Sequence, residues 1–173
     1  MTSIFPLINK KGFTLVEMLL YVTISSALLL SMTVFFGALI SVNIKNQNMN
    51  DVNEQGILVM ELMTQTIRNA RAVSSFPFGA SSTTLALTVK SSSSSPTIFD
   101  LATGTLRLKE GTETHVPLTN SKVTASSLLF LNSSASSTDG GSIEVSFILT
   151  YVSTSTAQEY VYSKSFKRTA SFH

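Results

Sequence analysis

Hydrophobic and polar positions follow three successive rules along this chain. From Phe13 to Ile44 they are almost continuously apolar, and Glu17 is the only formal charge. An apolar run of more than about 18 residues reads as a membrane span. As a helix this run would be roughly 48 Å long, against a hydrocarbon core of about 30 Å, so it must tilt or extend beyond that core. From Lys45 the composition turns to Asn, Gln, Asp and Glu, yet Met49, Val52, Gly56, Met60, Met63, Ile67 and Ala70 still recur at spacings of three and four. That stripe predicts a packing face on the same helix, with Lys45, Asn48, Asp51, Glu54, Glu61 and Arg68 mostly off it. Gly56 on the stripe lets a strand approach closely. The two halves together make one helix of about sixty residues, roughly 90 Å, ending near Arg71 to Val73.

Helical periodicity stops at a loop, Ser74 to Ser82, which contains Pro77 and Gly79. Short alternating runs follow at Thr84–Val89, Thr97–Leu101, Thr105–Lys109, Thr114–Leu118, Val123–Leu131, Ser142–Tyr151 and Glu159–Thr169. They are rich in Thr, Val, Leu and Phe, as half-buried strands are. Ile143, Val145, Phe147, Leu149 and Tyr151 alternate most clearly, followed by Tyr160, Tyr162 and Phe166. Glu110-Gly111 and Asp139-Gly140-Gly141 are turn signals, and Thr105–Leu118 reads as a hairpin. Helix first and strands afterwards argue for an α+β fold, with an antiparallel sheet of four to seven strands packed on the amphipathic half-helix. The chain thus divides into a leader (1–12), a transmembrane helix (13–44), an amphipathic helix half (45–73) and a β-rich head (74–173).

Composition changes this picture in two places. Charged residues make up only 13% of the 173, about half the usual share, so Ser, Thr and Asn must supply the polar surface. Cysteine is absent, which excludes disulfides and thiolate metal sites. Lys10 and Lys11 precede the span, and positive charge there keeps that end cytoplasmic and exports the remainder.

Glu17 is the anomaly in the apolar run. A carboxylate inside a membrane helix costs about 3 kcal/mol on insertion scales, so it demands a partner. Cleavage after Gly12 would create one, the α-amine of Phe13, one helical turn away in the same subunit or supplied by a neighbour. Here Gly12-Phe13-Thr14-Leu15-Val16-Glu17, behind a short basic leader, resembles the processing site of type IV prepilins and type II secretion pseudopilins. The resemblance implies a prepilin peptidase that cuts between Gly12 and Phe13, N-methylation of Phe13, and a Glu17 that pairs with a neighbour's terminal amine during filament assembly. It also implies the pilin-like lollipop fold, with the long helix carrying a β-rich head. Met60-Glu61-Leu62 through Thr66-Ile67-Arg68-Asn69-Ala70 is similar to the helix end of minor pilins and larger pseudopilins. The chain departs from many pilins in having neither a proline in the span nor a C-terminal disulfide loop. A secretory signal fits poorly, because its apolar region spans about 7–15 residues and precedes the cut site. An uncut single-span anchor carrying a binding or adhesion module remains the alternative.

Catalytic chemistry has little footing. His115 and His173 are the only histidines, and neither lies in sequence beside a nucleophile or a second ligand. No zinc spacing, phosphate-binding glycine loop or nucleophile elbow occurs. Asp100, Glu110, Glu113, Asp139, Glu144 and Glu159 are too scattered for a calcium loop. The expectation is a non-catalytic filament subunit without a cofactor, whose partners are the peptidase, other pilin subunits and the membrane. Its place is the inner membrane, single-pass with the N-terminus inside, and then an extracellular or periplasmic filament. Nucleic acid is not an expected partner: the head's one basic cluster, Lys164, Lys167 and Arg168, reads as a solvated edge strand. Ser91–Ser95 and Ser133–Ser137 read as exposed loops, and Asn132-Ser133-Ser134 fits a glycosylation acceptor pattern.

Overall fold

A computed structural model describes residues 12–74, 76–133, 141–152 and 161–172. Among the described residues one helix, α1 (Leu15–Asn69), is followed by nine strands: β1 (Ala70–Val73), β2 (Ser81–Ser82), β3 (Leu85–Val89), β4 (Thr97–Ala102), β5 (Thr105–Glu110), β6 (Val116–Pro117), β7 (Val123–Asn132), β8 (Gly141–Tyr151) and β9 (Ser163–Phe172). The architecture is α+β, with the long helix packed against antiparallel sheets. The chain divides into two compact units, Met1–Asn43 and Ile44–His173.

In the first unit α1 is bare. Every residue from Gly12 to Ile40 is exposed except Glu17. Ser and Thr in this run turn their hydroxyls back onto the helix itself, Thr23 to Leu20 O and Ser31 to Leu28 O for example. Such back-bonding gives these hydroxyls an acceptor where an apolar solvent would offer none.

In the second unit one face of α1 is buried: Asn48, Val52, Gly56, Val59, Met60, Met63, Thr64 and Ile67. The expected stripe is therefore present, but wider by Val59 and Thr64 and with Asn48 inside it rather than off it. Thr64 is tolerated because its hydroxyl donates to Met60 O at 2.6 Å. The helix ends at Asn69, short of the expected Arg71 to Val73. Ala70-Arg71-Ala72-Val73 has helix-compatible residues, yet it pairs with β3 (Ala70↔Val89, Ala72↔Thr88, Val73↔Leu87) around a bulge. Ladder pairing outweighs local propensity there.

The strands form two sheets where a single one was expected, ordered β1-β3-β4-β5-β6 and β2-β7-β8-β9. Each of the seven sequence runs contains a strand, the last only from Ser163 with Glu159 and Tyr160 outside the described residues, while β1 and the two-residue β2 lacked a visible pattern. The Thr105–Leu118 hairpin forms through Arg107↔Pro117 and Leu108↔Val116. Its turn uses Gly111 at φ +53°, a left-handed backbone suited to glycine. The sheets are tied where Ala125 N–H donates to Gly104 O at 2.7 Å. Helix and both sheets share one core, in which Leu85, Leu87, Phe99, Leu106, Phe130, Ile143, Val145 and Leu149 are wholly buried. In β7 the buried positions change phase, from Val123 and Ala125 to Leu128 and Phe130. A bulge between Ser126 and Leu129, with Ser127 at φ +54°, makes that shift.

Strand β9 lies against the helix. A Cβ added at Gly56 would run into the ring of Phe166, and that ring stacks on Phe147 at 5.4 Å. Lys164 Nζ donates to Asn53 Oδ1 at 2.6 Å and Arg168 to Glu61 Oε2 at 2.9 Å. On the helix's other flank, Asn120 N–H donates to Gln55 Oε1 and Lys122 pairs with Asp51 at 3.1 Å. Exposed pairs of this kind each add at most about 1 kcal/mol, so they orient the helix more than they hold it.

Gly56→Ala is expected to destabilise the chain by roughly 1 kcal/mol, because an overpacking cost of about 1–3 kcal/mol exceeds a helix-propensity gain of up to about 1 kcal/mol. Phe166→Leu should then cost less in the Gly56→Ala background than in the native one, read as coupling in a double-mutant cycle of denaturant melts. Strictly additive losses would show that the glycine serves no close approach.

Candidate processing and assembly site

The chain enters α1 abruptly. Gly12, Phe13 and Thr14 lie outside the helix, which begins at Leu15 rather than at Phe13. Thr14 is the cap: its Oγ1 accepts from the Glu17 N–H at 3.2 Å, and its carbonyl accepts the first helical bond from Met18 at 3.2 Å. Thr-x-x-Glu ahead of an apolar run is the capping-box sequence. A carboxylate in the first turn is also favoured by the helix dipole.

Phe13, Glu17 and Tyr21 follow one another at intervals of four and share a face. The Tyr21 hydroxyl donates to Glu17 Oε1 at 3.2 Å. The Phe13 ring meets the Tyr21 ring edge-on, with centroids 6.2 Å apart at 75°. Beside this pair Glu17 is half-buried, the one residue so sheltered from Gly12 to Ile40. At Gly12 a Cβ would meet nothing within 4 Å among the described residues. Lys10 and Lys11 lie outside the described residues. Sequence reasoning singled out Gly12, Phe13 and Glu17 but missed Thr14 and Tyr21. The capping-box spacing and the Glu17–Tyr21 interval of four were the signals that would have found them.

Other candidate chemistry comes apart in the fold. His115 Nε2 stands 3.5 Å from Asp100 Oδ2, a carboxylate that Arg107 already holds with Nε at 2.9 Å and with its second nitrogen. The hydrogen bond to Asp100 raises the pKa of the Arg107 guanidinium above its ordinary value, and the two form a cross-strand ion pair. Among the described residues no group of three His, Cys, Asp or Glu is placed to hold a metal. An open cleft of about 500 Å³ lies between the helix and the segment before β7, lined by Asp51, Glu54, Gln55, Leu58 and Pro117–Asn120. It contains no nucleophile paired with a base. The Lys164–Lys167–Arg168 cluster divides between faces: Lys164 and Arg168 reach the helix, and Lys167 pairs with Glu144 at 2.8 Å. It is therefore neither one patch nor simply a solvated edge. Asn132 is buried, 2% exposed, at the end of β7, so the acceptor pattern there is not open to modification in the folded chain. Tyr160, His173 and most of the second serine loop lie outside the described residues.

The family model for the prokaryotic N-terminal methylation motif matches residues 7–33. That motif supports a type IV pilin-like family for the chain. No curated protein and no solved structure gives a match to it. The matched stretch takes in the basic pair, Gly12, Phe13, the Thr14 cap, Glu17 and Tyr21. In a pilin-like chain the motif implies processing by a prepilin peptidase and assembly with other pilins, in a family that is generally structural. The apolar, unburied first half of α1 supports membrane anchoring.

Thr14→Ala removes the cap oxygen and should cost the first turn about 1 kcal/mol. The expected outcome is hydrogen exchange roughly fivefold faster at the Glu17 amide in detergent micelles, with Thr14→Ser close to the native rate. An unchanged rate in Thr14→Ala would show that the hydroxyl does not hold the helix start.

Proposed function

We propose that the chain is a non-catalytic structural subunit of a type IV pilus or a type II secretion-like filament, and a minor rather than a major one. A prepilin peptidase cuts it between Gly12 and Phe13, and the new Phe13 amine is methylated. The helix then leaves the bilayer and packs with its counterparts in a filament. The observation that carries this reading is the contrast within α1: a long apolar stretch with no residue buried, bearing one sheltered carboxylate beside the motif's cut site.

Each part has a physical support. The Gly12–Phe13 bond lies outside the capped helix, in backbone that a peptidase can take up as an extended substrate. Nothing among the described residues requires a glycine at Gly12, which fits a requirement set by another protein's active site. Lys10 and Lys11 hold the leader at the cytoplasmic face, where positive charge is retained. Exchange of lipid contacts for helix–helix packing exposes no apolar surface to water. Glu17 supplies register, since it is satisfied where it meets a terminal amine and costly elsewhere.

Peptide mass spectrometry on native membranes and on sheared filaments tests the reading. The expected result is a chain beginning at methylated Phe13 in the sheared fraction, with Glu17→Ala cleaved normally but absent from it. A chain still carrying its leader and confined to membranes would overturn it in favour of an anchored binding module.

A further inference from the structure

Glu17 has a companion inside its own helix, and the geometry makes it more than a neighbour. Tyr21 is the residue whose hydroxyl reaches the carboxylate, at 3.2 Å. Its ring also meets Phe13, so a single side chain touches both the acid and the residue that bears the new amine after cleavage. Tyr21 is itself half exposed at 50% and Phe13 more so at 70%. Among the described residues no tertiary packing holds this face together, and the contacts seen there are those among the three side chains.

We propose that Tyr21 is the positioning residue for Glu17. In the bilayer the phenol hydroxyl donates to the carboxylate, which would otherwise face lipid with no donor. The bond also fixes the carboxylate's rotamer along the Phe13 face, so that it points where an amine must arrive. On assembly the methylated amine of a neighbouring subunit donates to Glu17, while Tyr21 keeps the second oxygen or yields its place. Both arrangements leave the acid satisfied, and transfer between them passes through no bare carboxylate. This proposal rests on the filament reading above, and its test separates the two.

Tyr21→Phe keeps the ring and its edge contact with Phe13 and deletes only the hydroxyl. It is compared with Glu17→Ala and the native chain by the share of cleaved protein recovered in sheared filaments. In parallel, the Glu17 carboxyl stretch is recorded by infrared spectroscopy of the cleaved chain in phosphatidylethanolamine–phosphatidylglycerol bilayers, isolated as the difference from Glu17→Gln. The expected result is a shifted Glu17 band and a loss of incorporation of about threefold to tenfold in Tyr21→Phe, the effect of one hydrogen bond. A native band, or native incorporation, while Glu17→Ala is excluded from filaments would overturn the role of Tyr21 and leave the filament reading standing. Loss of incorporation with an unshifted band counts against it too, because the hydroxyl would then act elsewhere. Normal incorporation of Glu17→Ala would overturn the roles of both Glu17 and Tyr21 and still leave the chain a filament subunit.

Discussion

The head depends on one helix face and on how close a strand can come to it. Val52, Val59, Met60, Met63 and Ile67 are buried against residues of both sheets, and at Gly56 the missing side chain leaves room for the Phe166 ring. A buried aliphatic side chain contributes about 1.5–3 kcal/mol, so five of them outweigh every exposed ion pair on the helix flanks. With no disulfide available, this face must do the stapling that cross-links do in many exported domains. The hydrogen bond of Lys164 and the ion pairs of Arg168 and Lys122 then set rotation about the helix axis, because a rotated helix would separate each base from its partner.

The extent to which this was legible in the sequence follows from which forces are local. The stripe from Val52 to Ile67 and the alternation of Ile143, Val145, Phe147 and Leu149 are periodic properties of single elements, and both appear in the fold. The failures involve partners distant in the chain. Ala70–Val73 reads as helix because alanine and arginine favour it, and only the unseen neighbour β3 makes it a strand. Ser81–Ser82 carries no apolar pattern and is a strand through its pairing with Phe130 and Leu131. The division into two sheets was invisible for the same reason: alternation says which face is buried, not which strands are adjacent. In β7 the bulge at Ser127 breaks the alternation that a period-two reading assumes.

At the N-terminal site the balance is reversed. Gly12, Phe13 and Glu17 stand out in the sequence because the motif is linear, and the family match spans them. Thr14 and Tyr21 were missed although their interactions are equally local, at separations of three and four. The spacings that mark them were present in the sequence, but a spacing of three or four is common in an apolar run and gains meaning only beside the lone carboxylate.

A lone acid on an apolar helix has consequences that apolar side chains lack. Packing among Leu, Val and Phe varies smoothly as one helix slides along another, since each new position offers similar contacts. A carboxylate does not vary smoothly: it is satisfied at the few positions where a donor lies within about 3 Å and costly at all others. In the proposed filament, Glu17 would convert a slippery interface into one with a preferred register. That device works only if the acid is tolerated before its partner arrives, and a hydroxyl one turn away is the least perturbing way to arrange it. Tyrosine suits the position because its ring remains compatible with lipid while its tip remains polar. The Thr14 cap serves the same end from the other side, holding the first turn closed so that Glu17 and Tyr21 stay in line.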